Sequence, residues 1–364
     1  MDIFVSGGSS LELLRRSRID NQVTVAPTGL RRVRRSACPY ERLGDVAVDR
    51  LSGLLAINAA HPLRLHAPDP GHRVRHRLVA SDMCSVEFPA TAFLGLSSPL
   101  LKPGTHGFAI DVPQLSLLQL ARDRQRRIRR GILEDFAALV DLTEFTNEMC
   151  GSYGRDPRDP LRGACTYGLR PLQRLEDFSG FLAGCSRMRG IALARQAAHL
   201  AVESAASPME SLLALLLSLP PELGGIGLEK PLVNQPLDLG PSGRGVQHRR
   251  LRPDLYFPGL ELALEYDSGE WHDLAEQRRE DVRRMQDYAA LGIVACPIVF
   301  DDLRTPAAAE TLLARVISPS SRHMGKRLAR ERLDLLGDPE LRARRRILLR
   351  RLLPRGRRPP ECAN

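Results

Sequence analysis

Hydrophobic and polar residues alternate over short stretches in parts of this chain and recur at helical spacing in others, which predicts a mixed α/β protein. Residues 8–19, GSSLELLRRSRI, spell a short helix, with Ser9 or Ser10 as its cap and Leu11, Leu13 and Leu14 as a partial apolar face. Between 51 and 112 the stretches PLRLHAP, RVRHRLVA, CSVEF and GFAIDVP are short, partly alternating and bounded by Pro, Gly or Asp, so they predict strands. From Pro113 the period turns helical through PQLSLLQLARD and GILEDFAALVDLTEFTNEMC. The Gly/Pro/Arg-rich GSYGRDPRDPLRGACTYGLRP predicts a connector, with a phosphate site at Arg155, Arg158 and Arg162 as the sharper alternative. Two small-residue-rich helices follow, LQRLEDFSGFLAGC and RGIALARQAAHLAVES. In SPMESLLALLLSLPP, Ser207 is an N-cap, Pro208 the first helical residue and Glu210 the acid of a capping box.

The chemistry-bearing pattern lies between 249 and 303. Asp254 opens DLYFP, a turn follows, and ELALEYD returns as a second strand, so the pair reads as a hairpin. Side chains alternate faces along a strand, which puts Leu262, Leu264 and Tyr266 on one side and Ala263, Glu265 and Asp267 on the other. Glu265 and Asp267 then stand ~7 Å apart on one face, with Asp254 near the same end of the hairpin. Carboxylates held together raise one another's pKa unless a cation joins them, and a hard ion such as Mg²⁺ takes carboxylate oxygens. After the glycine turn a helix is predicted, with Asp273 as its cap, a stripe through Leu274, Arg278, Val282, Met285, Tyr288 and Leu291, and Gly292 at its end. IVACPIVF is then an apolar strand of the kind buried on both faces, and Pro297 predicts an edge position or a bulge.

The 364 residues are enough for two or three domains, and 43% hydrophobic content is a globular value. The net charge of +10 points to an anionic partner, nucleic acid before membrane surface, against a background preference for Arg. Seven scattered cysteines without a Cys-x-x-Cys pair argue against a disulfide framework or zinc ribbon and suit a reducing cytoplasm. No signal peptide is read in the opening residues, and LLALLLSLP at 212–220 is too short for a membrane span. The basic segment RARRRILLRRLL predicts an amphipathic helix that lies on a nucleic-acid backbone, on a membrane surface, or with its leucines docked on the protein.

Residues 207–303 resemble the PD-(D/E)XK nuclease superfamily, and most closely its very-short-patch-repair endonuclease branch. The resemblance rests on SPME opening a helix, PDLYFP, ALEYDSGEWH, DVRR and LGIVACPIVF. It implies a restriction-endonuclease-like three-layer α/β/α sandwich preceded by an α+β N-terminal region. It also implies a metal site at Glu210, Asp254 and Glu265 for Mg²⁺, with Mn²⁺ as a substitute. Catalytic roles would fall on Asp254, Glu265, Asp267 and His272, the last resembling the histidine that closes the repair-endonuclease site. Asp267 stands where the superfamily usually has lysine, so the positive charge there would come from His272 or Arg284. Residues 1–200 resemble AbiEi-type antitoxin and regulator proteins, through FAIDVPQLSLLQLA and the helices after it.

The expected organisation is therefore an α+β region over 1–200, a nuclease-like domain over 201–316 and a basic helical tail over 317–364. The expected activity is metal-dependent hydrolysis of DNA phosphodiester bonds in the cytoplasm, with Arg249, Arg250, Arg252 and Arg284 contacting the DNA. A non-catalytic DNA-binding regulator or antitoxin on a degenerate nuclease fold is the alternative. A carboxylate-pair hydrolase acting on another substrate is a third option. Each residue also has a plainer role: Glu210 as a capping acid, Asp254 and Asp267 as turn acids, His272 as a packing histidine, and Asp281 with Arg284 as a helix-surface pair.

Overall fold

The computed structural model describes residues 3–237, 246, 248, 250–267 and 275–353, with backbone only at 275–278. The fold divides into two units, residues 1–149 with 154–199 and residues 150–153 with 200–364.

The first unit is built on a six-stranded mixed sheet. Its elements run β1 (Ile3–Val5), α1 (Gly7–Ile19), β2 (Thr24–Pro27), α2 (Tyr40–Leu51), β3 (Leu63–Ala67), β4 (Val79–Met83), β5 (Phe93–Ser97), β6 (Phe108–Asp111) and α3 (Pro113–Arg129). Then come α4 (Asp135–Cys150), β7 (Tyr153–Arg155), β8 (Cys165–Tyr167), α5 (Leu175–Ala183) and α6 (Ile191–Leu200). The sheet order is β2-β5-β6-β1-β3-β4, with β1 parallel to β6 and β3 parallel to β4. Central β1 is fully buried, which suits the uninterrupted Ile-Phe-Val. Phe4 meets the edge of Phe93 with centroids 4.9 Å apart.

The expected strands at PLRLHAP and GFAIDVP form as β3 and β6, and RVRHRLVA reaches a strand only at its end, in β4. CSVEF does not form a ladder. It carries one isolated bridge, Arg32 to Glu87, and Val86 on it is 40% exposed. The connector after α4 holds the short β7–β8 pair. Arg155 there is buried and bonded to Glu144 at 2.6 Å, so its guanidinium neutralises a buried carboxylate instead of serving a phosphate.

The second unit begins with α7 (Pro208–Ser218), buried along its whole length from Pro208 to Leu217, as a helix that is apolar all round should be. It continues through β9 (Leu232–Val233), β10 (Leu255–Phe257), β11 (Leu262–Asp267), α8 (Ala275–Ala290), β12 (Val294–Val299), α9 (Pro306–Met324), α10 (Lys326–Asp334) and α11 (Pro339–Leu352). The sheet order is β12-β11-β10-β9; β10 and β11 are antiparallel, and β11 and β12, joined through α8, are parallel. A 3-10 turn at Pro258–Leu260 followed by Glu261 at φ +47° closes the hairpin.

Pro297 sits in the edge strand β12, where its missing N–H breaks no inner ladder. That strand is not buried on both faces, since Pro297 and Val299 are exposed while Cys296 and Ile298 are buried. On α8 the expected stripe holds at Tyr288, which is buried, but Val282 is 56% exposed. Asp273 and Leu274 lie outside the described residues. Helix α9 runs across residue 317, and α11 packs on α7 and α9 with Leu341, Leu348, Leu349 and Leu352 buried. The apolar side of the basic helix is therefore used within the fold and is not available to a membrane surface. No described helix is long and apolar enough to cross a membrane.

Candidate functional site

The site is assembled where α7 begins and where the β10–β11 hairpin opens. Ser207 caps α7 by accepting the Glu210 N–H at 3.2 Å. The Glu210 carboxylate returns to the start of the helix, accepting the Ala206 N–H at 2.7 Å and the Ser207 hydroxyl at 2.8 Å. This modifies the expected capping box, because the backbone donor is the residue before the cap. Asn234, at the end of β9 with φ +51°, donates its side-chain amide to Glu210 and to the Ser204 carbonyl, the latter at 3.0 Å. Glu210 is only 5% exposed. Burial, reinforced by the charge of Asp254, pushes its carboxyl up to about 7.

Asp254 immediately precedes β10. The register Leu255 to Leu264 carries on to put Asp254 across from Glu265, on the sheet face shared by Tyr256 and Ala263. The Tyr266 N–H donates to Asp254 Oδ2 at 2.7 Å. Burial raises the Asp254 pKa, and the Tyr266 N–H, Arg284 and Arg252 hold back that rise. Glu265 is half-buried and accepts the Tyr288 hydroxyl at 2.5 Å, while Arg284 Nη1 lies 3.7 Å from its Oε2. Burial, with the Asp254 charge adding to it, pushes Glu265 up to about 7 against the pull of the Tyr288 bond and Arg284. Tyr288 is fully buried and its own pKa is pushed up by burial and by Glu265, so the phenol remains a donor.

Three of the expected site residues, Glu210, Asp254 and Glu265, thus act electrostatically on one another through Asp254. Asp267 is half-buried at the end of β11, opposite Val299. Arg284 faces Glu265 instead of pairing with Asp281, and it is Arg283 that bonds Glu280 along the helix, at 3.4 Å. Arg252 is exposed and donates to the Asn234 carbonyl at 2.5 Å, while Arg250 is exposed. Arg249 and His272 lie outside the described residues. Among the described residues no group of three or more His, Cys, Asp or Glu side chains is drawn together closely enough to hold a metal ion.

Three contributors are not among the site residues expected from the sequence. Asn234 and Tyr288 reach their carboxylate partners across 24 and 23 residues. His248, in GRGVQHRR, bonds Asp287 through Nδ1 at 2.5 Å and Glu280 through Nε2 at 2.6 Å. Those two carboxylates raise its pKa, and their bonds hold His248 itself against α8. Of the three, only Tyr288 has a partial sequence cue, its place on the apolar stripe of α8.

No family model matches the chain, no curated protein matches it, and no solved structure matches it.

Proposed function

We propose that this chain hydrolyses DNA phosphodiester bonds in the cytoplasm with a divalent metal ion, Mg²⁺ or Mn²⁺, held by Asp254 and Glu265. The observation that carries the reading is the pair of half-buried acids set opposite each other at the hairpin, Glu265 on β11 and Asp254 just before β10, backed by the buried Glu210, with two of the three carboxyls pushed up to about 7. Acids so disfavoured as anions are the groups that gain most from a cation. Mg²⁺ commonly takes one or two protein carboxylates and completes its shell with water and phosphate oxygens, which suits a two-carboxylate set. When bound, the ion supplies Lewis acidity and lowers the pKa of a bound water. The chain's own groups divide the remaining work. Tyr288 orients Glu265 through its hydroxyl, and Arg284 offers the positive charge that the resembled superfamily draws from lysine. Asp267, two residues along the same strand face, takes the proton of the attacking water in this reading. The exposed Arg250 and Arg252 add backbone affinity for DNA.

The hairpin, the parallel β12 reached through α8 and the buried α7 support a restriction-endonuclease-like sandwich for the second unit. A non-catalytic DNA-binding regulator has one observation in its favour: both Glu210 oxygens already serve Ala206, Ser207 and Asn234.

Supercoiled plasmid incubated with Mg²⁺, Mn²⁺ or EDTA separates the two. The nuclease reading expects nicking with either ion, none in EDTA, and none from Glu265→Gln or Asp254→Asn. DNA binding without cleavage, unchanged by metal or by Glu265→Gln, establishes the regulator instead.

A further inference from the structure

The first unit contains a cavity of about 230 Å³ between the end of β4, helix α3 and the loop joining α5 to α6. Its body is apolar, walled by Met83, Phe88, Leu115, Leu118 and Met188. An apolar cavity of about 150 Å³ accepts benzene, so this one holds a ring with a small substituent.

The floor is polar and unusually well tied. His66, with a side chain 2% exposed, bonds Asp111 Oδ1 through Nε2 at 2.7 Å, and Asp111 is fully buried. The Gln119 amide donates to Asp111 Oδ2 at 2.7 Å, and its oxygen accepts the Gly7 N–H at 3.0 Å. One atom of this network, His66 Nδ1, is buried without a hydrogen-bond partner. Such an atom costs free energy unless something bonds to it. Cys84 beside it is pushed up to about 12, chiefly by burial, so it is a neutral thiol in the wall and not a nucleophile.

The rim is cationic. Arg122 stands at 3.3 Å from Asp82, one turn beyond Gln119 on α3. Arg187 and Arg189 are exposed, line the same cavity and carry no carboxylate partner among the described residues. Their loop is held against α3 by Gly190, at φ +86°, where an added Cβ would lie 2.5 Å from the Arg122 nitrogen. Two unpaired guanidiniums over an apolar chamber form an anion clamp on a hydrophobic slot.

We infer that this cavity is a binding site for a small organic anion, its ring seated among the apolar walls over His66 and its carboxylate or phosphate held by Arg187 and Arg189. The site lies wholly in the first unit and stands independently of the nuclease reading. Calorimetric titration and thermal shift on the full chain test it, with benzoate, phenyl phosphate, benzyl alcohol and inorganic phosphate as probes. At least one ring anion should bind and raise the Tm, more tightly than both benzyl alcohol and inorganic phosphate. The preferred anion distinguishes a carboxylate ligand from a phosphate ligand. In the Arg187→Ala/Arg189→Ala double variant the affinity should fall by about tenfold or more, the loss expected for charge-assisted bonds. Both arginines are exposed, so folding is unaffected by that change. Met188→Trp should fill the chamber and abolish binding. Absence of binding by both ring anions overturns the site. So does a neutral ring or bare phosphate that binds as well as the best ring anion, or unchanged affinity in the double variant.

Discussion

Glu265 concentrates the argument at the scale of single residues. It follows three buried apolar residues of its strand, Leu262, Ala263 and Leu264, and its partners are one phenol and one guanidinium 3.7 Å away. With its carboxyl near 7, at pH 8 the folded state holds a charge that the unfolded chain would solvate better. Glu265→Gln keeps an acceptor for Tyr288 and removes that charge. In metal-free buffer at pH 8 the variant should therefore melt about 2–4 °C above the wild type, while losing metal-dependent cleavage. A variant melting below the wild type would show that Arg284 and Tyr288 more than compensate the anion. The pairing of Asp254 with Glu265 was legible in the sequence, because strand alternation and a short turn fix which side chains share a face. Glu210 was legible as a capping acid, since its first partners are four or fewer residues away. Asn234 and His248 were not. Their roles depend on chain segments brought together by the fold, and an isolated Asn or His in a Gly/Arg-rich stretch shows no period.

Legibility among the elements follows how much each depends on its neighbours. Helices with caps, stripes and Pro starts, such as α3 and α7, appear where their patterns predict them. The three-residue β1 and the glycine-containing β5 have no repeat long enough to reveal a strand, and they exist because a six-stranded sheet supplies their partners. CSVEF had the right residue types but found no full-length neighbour. Helix α11 shows one sequence pattern serving two ends. Arg345 on its inner side is fully buried, bonded to Glu310 at 2.9 Å and to the carbonyls of Leu336 and Gly224 at 2.7 and 3.1 Å. Arg346, the next residue, is exposed. Arg345→Ala should cost about 3 kcal/mol in urea unfolding, because it leaves buried polar groups unmatched. Arg346→Ala should leave the midpoint unchanged within about 0.5 kcal/mol. If the outer side of the helix contacts DNA, Arg346→Ala should instead shallow the salt dependence of binding by about one counterion. Equal stability losses from the two variants would mean that α11 does not dock as described.

Across the whole molecule, the buried acids and His248 give stability an unusual dependence on pH. Glu210 and Glu265 have ordinary values of 4.5 and folded values of about 7, so the folded state binds more protons than the unfolded state between those limits. Their contribution is fully present below about 4.5 and is lost as pH rises through about 7. His248 acts in the same direction, since its pKa is raised above 6.5 and the stability it lends disappears as pH climbs past its folded value. Asp82 acts at the acid end. Burial works upward on it, but the Arg64 bond and charge prevail and lower its pKa, so its contribution is lost only as pH falls below the usual carboxylate range. The Tm in metal-free buffer should therefore fall steadily from pH 5 to pH 8, whereas proteins rich in surface ion pairs stay level across that span. A cation at Asp254 and Glu265 reverses the trend by stabilising the anions. Mg²⁺ at about tenfold its Kd should restore about 1.4 kcal/mol at pH 8, do little at pH 5 where the carboxyls hold their protons, and do nothing for Glu265→Gln at either pH. A Tm that rises from pH 5 to pH 8 without metal contradicts the raised carboxyl values. A Mg²⁺ effect equal at both pH values, or equal in the variant, places the ion elsewhere on this positively charged chain.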